Sequence, residues 1–444
     1  MSAAARAVPG LTKPRRAKLP TLAERTVANG LRVVAVRRGG VPMVHVRLRV
    51  PFAGRQASHL PKRLVLEATM TSGTGSHSRN ELAVALQEVG AALSVSTDTD
   101  SLLLRGESLR SGVPRLLELI AELVTDAQYP KDAVVGEVSR LQTQLRQRLS
   151  QPGEIAAEAL RNRLYAGHPY GRDLPDPADI AAVTAGAVRT LHRRWVVPPG
   201  SLLVMVGDIT PARALDQVEK ALAQWSGDAT KPAPAPHVPT GGDLTLVDRP
   251  GAVQSNLRVG GPGLSRRDGD YAALSLANVA FGGYFASRLT QNIREDKGYT
   301  YSPRSGLVHG ASASGFVLEA DVATEVTAPS LVEIAYELGR IATSPITSRE
   351  LESAVNYLSG LLAMQTATQA GLAGVLETLL ADGLDVSWLR EHPAALARAT
   401  VDDVLEQARR FLAPAGLATI VVGDASRVGE SVAALSPVVI RDGE

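Results

Sequence analysis

Apolar and polar residues alternate over 43–52 (MVHVRLRVPF), where Val44, Val46, Leu48 and Val50 share one face, as in a half-buried strand. Residues 93–108 (LSVSTDTDSLLLRGES) read as two strands around a polar turn. Apolar residues recur at helical spacing over 113–125, 131–148, 152–166 and 211–224. The strands come in hairpin-like pairs interleaved with long helices, not as strict strand–helix–strand units. That order predicts an α+β fold of antiparallel-rich sheets packed with helices.

The same pattern occurs twice. Residues 184–208 read TAGAVRTLHRRWVVPPGSLLVMVGD and residues 400–424 read TVDDVLEQARRFLAPAGLATIVVGD, at a constant offset of 216 without a gap. Each copy predicts a helix ending in Arg-Arg-aromatic, a Pro/Gly turn, and an apolar strand closing on Val-Gly-Asp. Two related α/β halves are therefore expected. Between them, DATKPAPAPHVPTGG at 228–242 has the alternating Ala and Pro of an extended, semi-rigid spacer. The expected divisions are an arm at 1–22, a first domain at 23–227, the linker at 228–242, a second domain at 243–436, and a tail at 437–444.

Composition narrows the function classes. At 444 residues the chain exceeds one core, and 45% apolar with 21% charged residues is ordinary for a soluble protein. A formal net charge of +2 gives no electrostatic ground for nucleic acid, and no apolar run approaches the ~18–20 residues of a spanning helix. The absence of cysteine removes disulfides, thiolate metal sites and cysteine nucleophiles together. A cytoplasmic location is the expectation. The first 25 residues carry Arg6, Lys13, Arg15, Arg16, Lys18 and Arg25 without a secretory apolar core, and read as either a disordered terminus or a targeting presequence.

Two further segments carry candidate chemistry: HLPKRLVLEATM at 59–70 and FGGYFASRLTQNIREDKGYTYS at 281–302. Together with NGLRVVAVRRGGVPMVHVRLRV at 29–50, HPYGRDLPDPADI at 168–180 and both Val-Gly-Asp strand ends, they make the chain resemble a known family. It is the pitrilysin/insulinase family of inverted-zinc-motif metallopeptidases. Within it the chain looks like the small bacterial and mitochondrial-processing-type subunits, which implies a clamshell-like subunit of two homologous halves. The long glycine-rich loop of the mitochondrial non-catalytic subunit is not evident.

In that family a helical His-x-x-Glu-His supplies two zinc ligands and the glutamate that activates water, and a later glutamate completes the metal site. The matching positions here are Leu64, Glu67 and Ala68, and the third ligand position is Gln144. Glu137, a flanking helical carboxylate, survives. Leucine and alanine offer no lone pair, so no cofactor is expected in this chain. With Leu60 they form an apolar stripe at four-residue spacing that reads as core. The eight histidines (45, 59, 77, 168, 192, 237, 309 and 392) include no pair three or four apart, and His168 lies in a His-Pro-Tyr-Gly turn.

The second half differs. Arg294 and Tyr301 match the family's Arg-x6-Tyr motif, whose side chains hydrogen-bond the substrate carbonyl and stabilise its oxyanion. A guanidinium offers fixed charged donors, and a phenol a neutral donor that stays protonated near pH 7. The bland alternative is that Arg294 pairs with Glu295 or Asp296 and Tyr301 fills a strand. Tyr299 is a second substrate-binding candidate, because residues two apart share a face if the segment is extended. Gly282 and Gly283 read as a flexible turn into the helix, not a phosphate loop.

The resemblance implies the non-zinc subunit of a heterodimeric zinc metalloendopeptidase. A homologous partner would bear the zinc motif, and this chain would contribute Arg294, Tyr301 and half of a peptide chamber. No nucleic acid or membrane partner is expected. The alternative is a proteolytically inactive scaffold subunit of the same fold. No Ser/His/Asp arrangement can be assigned.

Overall fold

The structure is a computed structural model describing residues 20–231 and 233–442; most of the basic arm lies outside them. Six strands form the first sheet: β1 (Leu22–Thr26), β2 (Arg32–Arg37), β3 (Met43–Pro51), β4 (Ala92–Thr97), β5 (Ser101–Leu109) and β6 (Leu202–Gly207). Six more form the second: β7 (Leu244–Asp248), β8 (Gln254–Pro262), β9 (Arg304–His309), β10 (Ser314–Ala323), β11 (Ala418–Gly423) and β12 (Val438–Asp442). The strand orders are β1-β2-β6-β3-β5-β4 and β12-β7-β11-β8-β10-β9. In the first sheet only β2 and β6 run parallel. In the second, β7 runs parallel to both β11 and β12.

The expected α+β architecture is present. The hairpin expected around 93–108 is β4–β5, and its turn is closed by Asp98, whose carboxylate accepts from the amides of Asp100 (2.8 Å) and Ser101 (2.7 Å). The repeat holds residue by residue. Helices Ala185–Trp195 and Val401–Phe411 occupy equivalent positions, as do β6 and β11, all at the offset of 216. Thr184 and Thr400 cap the two helices, each hydroxyl accepting an amide three residues on at 3.2 Å. The glycine in each Val-Gly-Asp has a local cause: a Cβ on Gly207 would lie 2.3 Å from the Met43 carbonyl oxygen, and one on Gly423 would lie 2.6 Å from Ser255 Oγ.

The outer edges break the symmetry and alter the expected boundaries. Leu22, assigned to the arm, opens β1, which pairs antiparallel with β2. The segment expected as a tail carries β12, paired with β7 from Val438↔Leu244 to Asp442↔Asp248. This strand is mostly exposed, so it lacks the apolar alternation by which a strand is read from sequence; its pairing comes from the free edge of β7. No helix or strand occurs among the described residues of the 228–242 spacer.

Each sheet covers one face with its own helices, forming two large cores. The other faces are covered reciprocally. Helix Pro152–Leu164, from the first half, packs Ala156, Leu160 and Leu164 on Ala418, Ile420 and Val422 of the second sheet. Helix Gln369–Ala381, from the second half, packs Leu372, Leu376 and Leu380 on Val34, Val36 and Val204 of the first. A polar latch joins the same halves. Tyr170 Oη donates to Asp100 (2.9 Å) and accepts the Ser312 amide (3.0 Å), while Asp100 also accepts the Ala311 amide (2.8 Å). Burial, opposed by the bond from Ser312, lifts the Tyr170 phenol to about 12.

Candidate functional site

The segment bearing Arg294 is a short helical turn, Arg288–Thr290, that widens into a π-helical turn at Gln291–Asp296. Leu289 and Ile293 anchor it in the second core. Arg288 forms a two-pronged ion pair with Glu350 at 2.6 and 3.0 Å. Burial resists ionisation of Glu350, but Arg288 and the Thr347 amide hold its carboxyl down at about 2. Asn292 Nδ2 donates to Glu333 (3.0 Å) and Glu337 (2.9 Å), fixing the segment against helix Thr327–Thr343. Gly282 and Gly283 are not the flexible turn expected. They belong to a π-helical turn, and a Cβ would lie 2.7 Å from Ser305 Oγ or 2.8 Å from Asn278 Nδ2. Their role is close packing.

Arg294 and Tyr301 come together. The guanidinium carbon lies 5.0 Å from the Tyr301 ring centroid and 4.7 Å from that of Phe285, with Nε 3.2 Å from Glu295. Both aromatics face solvent: Tyr301 is 83% exposed and Phe285 62%. Tyr301 fills no strand, since β9 begins only at Arg304. It sits on a loop held by the Tyr299 amide to the Ile293 carbonyl (2.8 Å) and by Thr300 Oγ1 to the Asp321 carbonyl (2.7 Å). Tyr299 is half-buried, whereas Tyr301 is exposed. Sequence reasoning missed Phe285, although its position in the FGGYFAS turn, where a polar residue is commoner, was a signal.

The matching helix of the first half is His59–Thr69. Leu64 packs on the first core and Ala68 is half-buried. Glu67 accepts both the amide (2.8 Å) and the hydroxyl (2.6 Å) of Thr97. Glu137 pairs with Arg140 at 2.5 Å, and Gln144 is exposed. The donor set does not fit zinc: two positions lack a lone pair, the third is a lone amide, and both carboxylates are engaged. Among the described residues no group of three or more His, Cys, Asp or Glu is arranged to hold a metal ion. His168 is structural in placement, with Nδ1 accepting the Tyr170 amide (3.2 Å) and Nε2 3.0 Å from the Pro234 carbonyl. Among the described residues no helix is long and apolar enough to cross a membrane.

The geometry defines a duplicated α+β chain with a clamped Arg–Tyr pair and, among the described residues, no metal-ligand set. Two sequence profiles match in tandem, the insulinase (peptidase family M16) profile over residues 57–178 and the peptidase M16 inactive domain over 182–358. The chain belongs to the M16 (insulinase) family of peptidases. It is 24% identical over 359 residues to an uncharacterized zinc protease of Streptomyces coelicolor, covering 78% of this chain and 77% of that one. It is 22% identical over 194 residues to the mitochondrial-processing peptidase subunit alpha of Neurospora crassa, covering 44% and 32%. The fold matches the crystal structure of a peptidase M16 inactive domain from Pseudomonas fluorescens with a TM-score of 0.83, 23% identity, and coverage of 91% and 98%.

Proposed function

We propose that this chain is the non-zinc subunit of a two-chain zinc metalloendopeptidase. A homologous partner supplies the zinc motif, and this chain supplies Arg294, Tyr301 and half of the wall around a peptide substrate. The observation that carries the proposal is the Arg294–Tyr301 pair itself: two donors held together at an exposed surface, in a chain whose own zinc-motif positions lack ligands. A surface guanidinium needs no aromatic clamp to be soluble, whereas an oxyanion donor gains from being fixed beforehand.

In this role the Arg294 guanidinium and the Tyr301 hydroxyl donate to the scissile carbonyl oxygen as it gains negative charge. Because the donors already stand in place, little reorganisation accompanies the reaction. Peptides or short unfolded segments are the substrate class, and a cytoplasmic location belongs to the same proposal. So do the limits of the two domains and of the spacer.

The test is single-turnover peptide cleavage by this chain reconstituted with a zinc-motif homologue from the same source. Tyr301→Phe should lower turnover by roughly 10²–10³, the usual cost of one lost transition-state donor, while leaving dimer formation unchanged. Arg294→Ala should cost at least as much and also weaken ground-state binding if it touches the carbonyl there. Full activity with both residues removed would instead assign the chain a scaffold role.

A further inference from the structure

A cavity of about 260 Å³ opens at the N-terminal end of helix His59–Thr69. Arg55, Arg63 and Arg172 line it with Gln56 and Asn162, and no carboxylate does. Arg63 is only 4% exposed. Its Nη2 makes one long contact of 3.4 Å to Asp173, a carboxylate that also lies 3.8 Å from Arg148. Its Nε finds no partner among the described residues. The Nε itself is closed to the cavity, so a counter-anion would compensate this nearly buried guanidinium through its Nη groups.

The surroundings add to the same field. Ser58 makes no side-chain cap on the helix and the first turn holds no acidic residue, so the positive end of the helix dipole is left uncompensated. Arg55 is exposed and forms no ion pair among the described residues. Arg172 is only 3.7 Å from Asp179 and gives its Nε to the Leu174 carbonyl. The two histidines on the wall do not compete for an anion, since His59 Nε2 lies 2.8 Å from the Phe52 carbonyl and both His168 nitrogens are engaged. Leu60 and Pro169 supply an apolar wall for an aliphatic stem. The volume is below that of drug-sized pockets and suits the end of one amino-acid residue.

We infer that this cavity binds a peptide carboxylate, from a C-terminus or an acidic side chain, against Arg55, Arg63 and Arg172. Leu60 lies one helical turn before Leu64, so the site adjoins the degenerate zinc motif. The first half, whose Leu64 and Ala68 offer no metal ligand, thereby presents a fixed positive charge with which to hold one end of a substrate. Only the choice of a peptide as ligand rests on the proposed function; the anion chemistry stands on the cavity alone.

Calorimetric titration of the full chain, without any partner, tests it. The probes are acetyl-Ala-Ala-Leu with a free carboxylate, the same peptide as its C-terminal amide, acetyl-Ala-Glu-Ala amide, and inorganic phosphate. At least one carboxylate peptide should bind about tenfold or more tightly than the neutral amide, as expected for a charge-assisted bond. Which of the two binds better assigns the source as terminus or side chain. Arg55→Gln and Arg172→Gln, both at exposed positions, should each weaken binding at least about threefold, with Tm unchanged for Arg55→Gln and lowered slightly for Arg172→Gln, which gives up its bond to the Leu174 carbonyl. Arg63→Gln should abolish it, read only if the variant folds. Equal affinity for acid and amide, insensitivity to Arg55→Gln and Arg172→Gln, or binding of phosphate alone would overturn the inference. Cleavage that depends on Arg294 and Tyr301 would leave the proposed function standing in any of those cases.

Discussion

The Arg294 guanidinium stands 5.0 Å from the ring of Tyr301 and 4.7 Å from that of Phe285. One long, flexible side chain is thereby held before any substrate arrives. The clamp leads to a graded expectation. Phe285→Ala removes one exposed cation–π contact, worth ~0.5–1 kcal/mol, and should lower turnover of the reconstituted pair about two- to fivefold. Arg294→Lys should cost far more, because an ammonium lacks the planar fork. Unchanged turnover in Phe285→Ala would show that the clamp has no positioning role.

Metal content is a second check. The isolated chain should carry no stoichiometric zinc by elemental analysis, because Leu64 and Ala68 lack lone pairs and Gln144 offers only an amide. Restoring histidines at Leu64 and Ala68 should destabilise the chain by about 1–3 kcal/mol in chemical denaturation, since Leu64 packs on the first core. Those histidines should not rescue Tyr301→Phe, whose defect lies in the other half.

Packing across the halves gives a third. Leu376 and Leu160 are both buried where a helix of one half lies on the sheet of the other. Leu376→Ala and Leu160→Ala should each cost about 2–5 kcal/mol. Each should shift the unfolding of both halves together. Separate transitions seen by probes placed in the two halves would contradict this.

Acid sensitivity follows from three histidines. Burial holds His59, His309 and His392 at about 4, below the ordinary 6.5, and nearby Arg266 adds to the effect for the last two. Between those values the unfolded chain binds more protons than the folded one, so stability present above pH 6.5 drains away as the pH falls toward 4. His392 stacks on Trp388 at 4.2 Å, and His392→Gln should flatten that decline while lowering stability at pH 7.5. Urea midpoints across pH 4–8 would show it; a parallel decline in the variant would count against it.

Much of this was legible along the chain. The repeat was readable because capping threonines, strand glycines and apolar strands are local features, and each kept its place at the offset of 216. That Leu64 and Ala68 offer no lone pair is plain from the sequence alone, because it is a matter of residue chemistry. The rest depends on what lies across space. Periodicity shows that helices Pro152–Leu164 and Gln369–Ala381 each have an apolar face, but not that each covers the other half's sheet. Strand β12 is exposed and takes its hydrogen bonds from β7, so VVIRD alone carries little signal. Arg63 gave no sign of burial, because nothing local separates a solvent-facing arginine from one enclosed by residues a hundred positions away.

The exchange of covering helices means that the peptide spacer is not what holds the halves together. A protease cut within the 228–242 spacer would leave two fragments, each missing the helix that shields one of its sheet faces and each holding the helix its neighbour lacks. Such a nicked chain should migrate as one particle until denatured. Neither fragment, expressed alone, should stay in solution without the other.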